Sequence, residues 1–268
     1  MISILTINIG AASRARAEAI LEWLADRPED VFILTETSAG EGTAFLLERF
    51  AAAGYFVIAD SRMERERGVA IVSRVKVVAE PQFALGETSI PCRVAVALLE
   101  TTPQVTVVGI YVPSRDQSAE KVEKKQLFVE SLLRQVERLD DGVRRATVVG
   151  GDYNVISKTH VPKYSTFLDF EYAMLERLEA AGLSDAQVHL SGATQVHSWV
   201  GRTGDGYKYD YFHVGADLAS GLHSCDYLSE SRDLALTDHS AVALVIDGVS
   251  AQRVDAGRLS TTDQIALF

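Results

Sequence analysis

Five short clusters of carboxylate, amide and imidazole residues each close an apolar run: Asn8, Glu36, Asp152 with Asn154, Asp210, and Asp238 with His239. Oxygen donors with one imidazole nearby suit a hard cation such as Mg2+, with Mn2+ as an alternative, better than zinc. The set points to metal-assisted chemistry on phosphate, which needs charge neutralised on the non-bridging oxygens and a stabilised leaving oxygen. Amides at Asn8 and Asn154 offer polar contacts where more carboxylates would repel the phosphate. Taken alone, a strand-end Asp or Asn is most often a turn former or helix cap, and an isolated His a satisfied structural residue.

The runs that carry the clusters, such as Ile2 to Ile7, Val31 to Leu34, Thr147 to Val149 and Tyr207 to Phe212, are short and rich in β-branched or aromatic residues. That pattern predicts buried strands, with the polar residue following as the chain leaves the core. Further strands are expected at 55–59, 68–73, 93–99, 105–111, 194–200, 207–214, 222–228 and 240–246. Ser13 is placed to cap a helix bearing Ile20, Leu21 and Leu24 that ends near Pro28. Helical spacing also predicts helices over 117–139, through Val122, Leu127, Val129, Leu132 and Leu133, and over 168–181, where Gly182 supplies the stop. The result is a mixed α/β pattern without internal repeats.

At 268 residues and 47% hydrophobic, the chain can bury a substantial core, and residues 1–248 read as one domain. From Val249 the text turns small and polar and ends in an apolar tip, which reads as a flexible tail over 249–268. The net charge of -11 excludes a generally basic nucleic-acid coat and leaves room only for a local basic face. Cys92 and Cys225 lie far apart without CxxC spacing, which supports neither a disulfide framework nor a structural zinc site. The start of the chain lacks a basic leader and a long apolar stretch, and no segment reaches membrane-spanning length. A soluble cytoplasmic protein with no membrane partner is the expectation.

In their order, the motifs ILTINIG (4–10), DVFILTET (30–37), RGVAIVSR (67–74), GIYVPS (109–114), GGDYNV (150–155), HSW (197–199), KYDYFHVG (208–215) and LTDHS (236–240) resemble the endonuclease/exonuclease/phosphatase superfamily. Within it they are most similar to bacterial exonuclease III-type abasic-site endonucleases. The segment FEYAMLERLEAAGLSDA (170–186) resembles the helix that follows the GDYN strand in that family. The resemblance implies an α/β fold with a two-sheet β-sandwich core flanked by helices, four layers deep, with the cleft at one edge of the sheets. It implies that Glu36 is the principal Mg2+ ligand, with Asn8 and Asp238 as ligands or close partners. Asp152 would orient or deprotonate the attacking water. Asn154, Tyr111 and His239 would contact the phosphate, and Asp210 would hold His239 in orientation.

The chain departs from the family pattern at Lys208, where the family usually has Arg, and the charge survives without the bidentate fork. In abasic-site enzymes a small apolar pocket near this motif takes the baseless sugar. Ser198, Tyr207 and Tyr209 occupy the matching neighbourhood, and two tyrosines could close a pocket or stack on a base. Lys208, Tyr207, Tyr209 and Trp199 are therefore the candidate substrate contacts, with Trp199, like Tyr211, equally readable as a core aromatic. Lys158, Lys163 and the segment 62–67 are candidates for contact with a nucleic-acid backbone. His160, His189, His197, His213 and His223 lack ligand spacing and read as surface or structural residues.

The terminal Gln264-Ile265-Ala266-Leu267-Phe268 resembles the bacterial sliding-clamp binding peptide, which implies a clamp partner through Gln264, Ile265, Leu267 and Phe268. A DNA phosphodiester hydrolase, an abasic-site endonuclease or 3'-5' exonuclease in repair, is the leading expectation. A phosphatase or phosphodiesterase for a small phosphorylated metabolite or lipid is the alternative, and a catalytically dead DNA- or clamp-binding scaffold the third.

Overall fold

The structure, a computed structural model, describes residues 1–59, 66–78, 87–163, 166–192, 194–201 and 203–261. The chain begins with β1 (Ile2–Asn8), α1 (Arg14–Ala25), β2 (Val31–Thr37), α2 (Glu41–Ala52), β3 (Phe56–Ala59) and β4 (Gly68–Ser73). It continues with β5 (Val94–Leu98), β6 (Thr101–Thr102), β7 (Thr106–Tyr111), α3 (Ala119–Glu137), α4 (Asp141–Arg145) and β8 (Thr147–Asp152). After α5 (Asp169–Ala180), β9 (Leu183–Asp185) and α6 (Ala186–Ser191) come β10 (Trp199–Val200), β11 (Gly206–Tyr207) and β12 (Asp210–Gly215). The last elements are α7 (Ala216–Ala219), β13 (Leu222–Leu228), α8 (Glu230–Asp233), β14 (Ala241–Ile246) and β15 (Ser250–Ala251).

Two sheets form the centre: six strands in the order β13-β14-β1-β2-β4-β3 and five in the order β5-β7-β8-β12-β9. Alternation along each strand sorts its residues between layers. Ile2 and Ile4 of β1 meet Val107, Val148 and Phe212 in the core between the sheets. The opposite parity, Leu5 and Ile7, packs with Phe32 under α1 and α2. On the other sheet Val108, Ile110 and Val149 lie under α3 and α5, so helices cover both outer faces. Gly150 lets the layers close: a Cβ there would stand 2.3 Å from Phe212 and 3.0 Å from Ile33.

Ser13 caps α1, its hydroxyl accepting from the Arg16 amide, and the predicted helices over 117–139 and 168–181 appear as α3 and α5. The predicted strand over 207–214 is broken at Lys208 and Tyr209, because the Ser198 hydroxyl accepts the amides of Tyr209 and Asp210 in place of a ladder partner. The strand expected over 194–200 is reduced to Trp199–Val200. The described part of the expected tail, up to residue 261, packs on the body: β15 pairs with β6, Arg253 reaches Asp30, and Leu259 joins the core under α1 and α2. Gln264, Ile265, Leu267 and Phe268 lie outside the described residues. Among the described residues, no helix is long and apolar enough to cross a membrane.

Candidate active site

Strand parity delivers the site. Asn8 continues the series Ile2, Ile4 and Thr6, Asp152 continues Val148 and Gly150, and Asp210 precedes Phe212 and Val214. All three therefore end on the face between the sheets, as does Tyr111 after Val107 and Gly109. In the second sheet Tyr111 is paired in register with Asp152, and Asp152 with Asp210, so three adjacent strands set these side chains at one level. Glu36 sits on the other parity and would turn toward the helices. A register shift between Thr35 and Thr37, with Glu36 at φ 55°, re-aims it, as bulges do. Its charge then acts on Tyr111, and its carboxylate stands 3.8 Å from Arg67.

Hydrogen bonds lock Asp152 from several sides. Asn8 Nδ2 donates to its Oδ2 at 2.9 Å, Asn154 Nδ2 donates to the same oxygen at 3.1 Å, and the Asn154 amide donates to Oδ1 at 2.9 Å. Asn154 takes the left-handed conformation, φ 49°, that this close return requires. Burial raises the Asp152 carboxyl to about 7, with the facing Asp210 carboxylate adding to the rise and the His239 charge opposing it. His239 Nδ1 lies 2.7 Å from Asp210 Oδ2. Burial disfavours the imidazolium, yet the charges of Asp210, Asp152 and Asp238 and the Asp210 hydrogen bond outweigh it and push His239 up to about 10. Tyr111 is pushed above the ordinary phenol range by burial and by the Asp152 and Glu36 charges, so it stays a neutral O–H donor.

The Asp152, Asp210 and His239 ligand atoms lie within 4.8 Å of one another, a group that could hold a metal ion. Among the described residues Asp210 Oδ1, which is buried, has no hydrogen-bond partner, leaving a carboxylate oxygen for an ion or water. A donor set of carboxylates and amides fits a hard divalent cation, whereas a protonated His239 does not ligate. The compact group differs from the expected set of Glu36, Asn8 and Asp238. Asn8 is committed to Asp152 through its amide nitrogen and to the Gly10 amide through its oxygen, and exposed Asp238 accepts from the Trp199 indole at 2.9 Å.

The expected substrate contacts divide. Trp199 and Tyr209 line the cleft beside Asn154 and His239, while Tyr207 is buried behind Tyr209. Lys208 turns away, its ammonium held by Asp185 at 2.6 Å and Gln187 at 3.0 Å. Neighbouring side chains on an extended segment point to opposite faces, so Lys208 cannot join the two tyrosines. Ser198 is wholly buried and supports backbone rather than lining a pocket. Lys158 pairs with Glu176 at the surface, and residues 62–65 lie outside the described residues. His213 is buried against Tyr153, and burial lowers it to about 4.

Sequence reasoning missed Lys125, Glu171, Arg115 and Arg93. Lys125 is fully buried and donates to the Asn154 carbonyl at 2.7 Å and to Glu171 at 2.6 Å. Arg115 holds the other Glu171 oxygen, and Arg93 lies over the Tyr111 ring at 4.5 Å. One signal existed for Lys125: it stands on the apolar stripe of α3 with Val122, Val129 and Leu132, a position a solvated lysine does not occupy.

The fold is shared with solved structures. An AP endonuclease from Archaeoglobus fulgidus is 22% identical at TM-score 0.76, over 92% of this chain and all of that one. The 3' phosphatase NExo from Neisseria, bound to a product DNA hairpin, is 21% identical at TM-score 0.77 with the same coverage. The 3'-5' exonuclease NExo from Neisseria meningitidis is 23% identical at TM-score 0.74, also over 92% of this chain and all of that one. No curated protein matches the sequence. The pattern of one family, however, matches residues 5–239, which span every element of the site described above, and the chain belongs to the endonuclease/exonuclease/phosphatase family.

Proposed function

We propose that the protein is a Mg2+-dependent DNA phosphodiester hydrolase of the exonuclease III type, acting on DNA in repair as an abasic-site endonuclease, a 3'-5' exonuclease or both. The observation that carries this reading is the interlocking of Asp152 with Asn8, Asn154, Asp210 and His239 at one shared end of the two sheets. Glu36 is the proposed principal Mg2+ ligand, with Asn8 and Asp238 assisting directly or through water; Mn2+ would satisfy the same donors. When bound, the cation neutralises the non-bridging phosphate oxygens and stabilises the departing oxygen.

The chain's own residues supply the rest. Asp152, with a carboxyl near 7, is poised to orient a water and accept its proton at neutral pH. Asn8 and Asn154 fix both of its oxygens, so the base does not have to reorganise during the reaction. His239 keeps Nδ1 on Asp210 and offers Nε2 to the phosphate as a cationic donor, and Tyr111 adds a neutral one. The proposed clamp partner rests on the Gln264 to Phe268 sequence. Deleting those residues should abolish clamp binding and spare cleavage of short oligonucleotides. A reducing cytoplasm suits Cys92 and Cys225, neither of which is in a disulfide.

The test is incision of end-labelled duplexes, intact, recessed at the 3' end or carrying an abasic site, in Mg2+ and in EDTA. Metal-dependent incision that disappears in Asp152→Ala is expected. Inert DNA together with turnover of a small phosphorylated metabolite or lipid would replace this reading with the small-molecule alternative.

A further inference from the structure

Beside Asn154 and His239 the cleft opens into a cavity of about 500 Å3, lined among others by Arg115, Lys125, Phe167, Trp199 and Tyr209. One wall of it carries stacked rings. His160 and Tyr207 lie 5.1 Å apart at 24°, and Tyr207 and Tyr209 lie 5.7 Å apart at 6°, close to parallel. The first two rings are buried, 5% and 6% exposed, whereas Tyr209 is half-buried and reaches the cavity. Trp199 leans on both tyrosines at 5.9 Å, with its indole N–H tied to Asp238, and Phe167 stands 6.5 Å from Tyr209.

The sequence builds this wall economically. Tyr207 and Tyr209 are two residues apart on extended chain and project to one face, while Lys208 between them anchors the segment on Asp185 and Gln187 behind. The Ser198 hydroxyl, bonded to the Tyr209 and Asp210 amides, fixes the aromatic wall and the catalytic carboxylate to the same support. The cationic side of the cavity is no bare anion site, since Glu171 accepts from both Lys125 and Arg115. A phosphate is better served at Asn154 and His239, which leaves the cavity for the group attached to that phosphate.

A baseless sugar has no π face to offer such a wall, and every nucleobase has one. A cavity of about 150 Å3 already holds benzene, so this one has room for a base together with its sugar. We propose that the cavity is a nucleoside subsite: it takes a base-bearing nucleotide joined to the scissile phosphate, with the base stacked on Tyr209 beside Trp199 and Phe167. The enzyme then favours phosphoesters of intact nucleotides, such as an unpaired 3' end, over abasic ones. This assignment rests on the phosphoester reading of the adjacent site and narrows its substrate class.

Two measurements on the full chain test it. The first is equilibrium binding of deoxyadenosine 5'-monophosphate against deoxyribose 5-phosphate, in Mg2+, to the wild type, Tyr209→Leu and Tyr209→Phe. The expected result is about tenfold tighter binding of the nucleotide, or about 1.4 kcal/mol, lost in Tyr209→Leu and kept in Tyr209→Phe. The second is the ratio of kcat/KM on a duplex with an unpaired 3'-terminal nucleotide to that on the same duplex with an abasic analogue there. The ratio should exceed one in the wild type and collapse toward one in Tyr209→Leu through a rise in KM for the base-bearing end. Equal binding of the two small ligands, or a Tyr209→Leu loss equal on both, would overturn the subsite. If no duplex is cut while the tenfold binding preference and its loss in Tyr209→Leu are found, the nuclease reading fails and the subsite stands.

Discussion

Two buried aspartates, Asp30 and Asp152, are each about 1% exposed and sit at opposite ends of the sandwich, and their surroundings treat them in opposite ways. Asp30 takes Arg74 at 2.9 Å, Arg253 at 2.7 and 2.8 Å, and the amide and hydroxyl of Ser3. Burial would raise its carboxyl, but these partners outweigh burial and hold it below the ordinary carboxylate range. Asp152 faces another carboxylate instead of two guanidinium groups, and its carboxyl rises to about 7. A compensated charge of the first kind ties chain segments together, here the amino terminus, β2, β4 and the segment after β15. An under-compensated one costs stability and is retained where its proton is needed.

The largest effect is expected from Asp152→Ala or His239→Ala, which should lower kcat on a phosphodiester by about 10^2- to 10^4-fold while circular dichroism shows an intact fold. Full activity in either variant would remove the mechanism. At the other cluster, Asp30→Ala leaves Arg74 and Arg253 without their shared carboxylate. We expect a loss of about 3 kcal/mol, seen as a melting temperature roughly 6–12 °C lower, with kcat unchanged in the folded protein.

The pH dependence of stability in EDTA sharpens the contrast. Asp152 and His239 both have folded-state values above their unfolded ones, so the stability tied to their protonated forms is greatest at low pH. For Asp152 that contribution is lost as pH rises from its unfolded value, 3.8, through about 7; for His239 it is lost as pH rises from 6.5 through about 10. Asp30 works in the other direction: its lowered carboxyl gives stability that is present above its unfolded value and lost only as the solution becomes strongly acidic. Melting temperature in EDTA should therefore fall as pH rises from 5 to 9. A flat profile would mean that the Asp152 cluster is compensated after all. The smallest effect concerns Lys208→Met: because the ammonium is spent on Asp185 and Gln187, the slope of log KM against log salt for DNA should stay the same. A slope reduced by about one would place Lys208 on the phosphate backbone.

Much of the fold was legible because it depends on parity and period. Alternation in β1, β8 and β12 both forms the core and carries Asn8, Asp152 and Asp210 onto one face. What stayed hidden depends on neighbours distant in sequence. Helix α2 was not foreseen, and the glycine in its first turn is set by a distant contact: a Cβ on Gly42 would stand 2.0 Å from the Ala12 carbonyl oxygen. The inward turn of Lys208 could not be foreseen without Asp185, and the docking of Arg253 could not be foreseen without Asp30. The bulge that re-aims Glu36 has no local signal either, although its consequence, a carboxylate at the cleft, follows from the motif order.

The most direct measurement is kcat and melting temperature of Asp210→Asn on one preparation, turnover in Mg2+ and melting in EDTA. The amide oxygen can still accept the His239 Nδ1 hydrogen, and its NH2 would take the place of the carboxylate oxygen that has no partner. The expected result is a melting temperature within about 3 °C of wild type, less than about 1 kcal/mol, with turnover about 10^2-fold lower because the imidazolium loses its counter-charge. Turnover retained at wild-type level, or a collapse of the fold like that expected of Asp30→Ala, would contradict it.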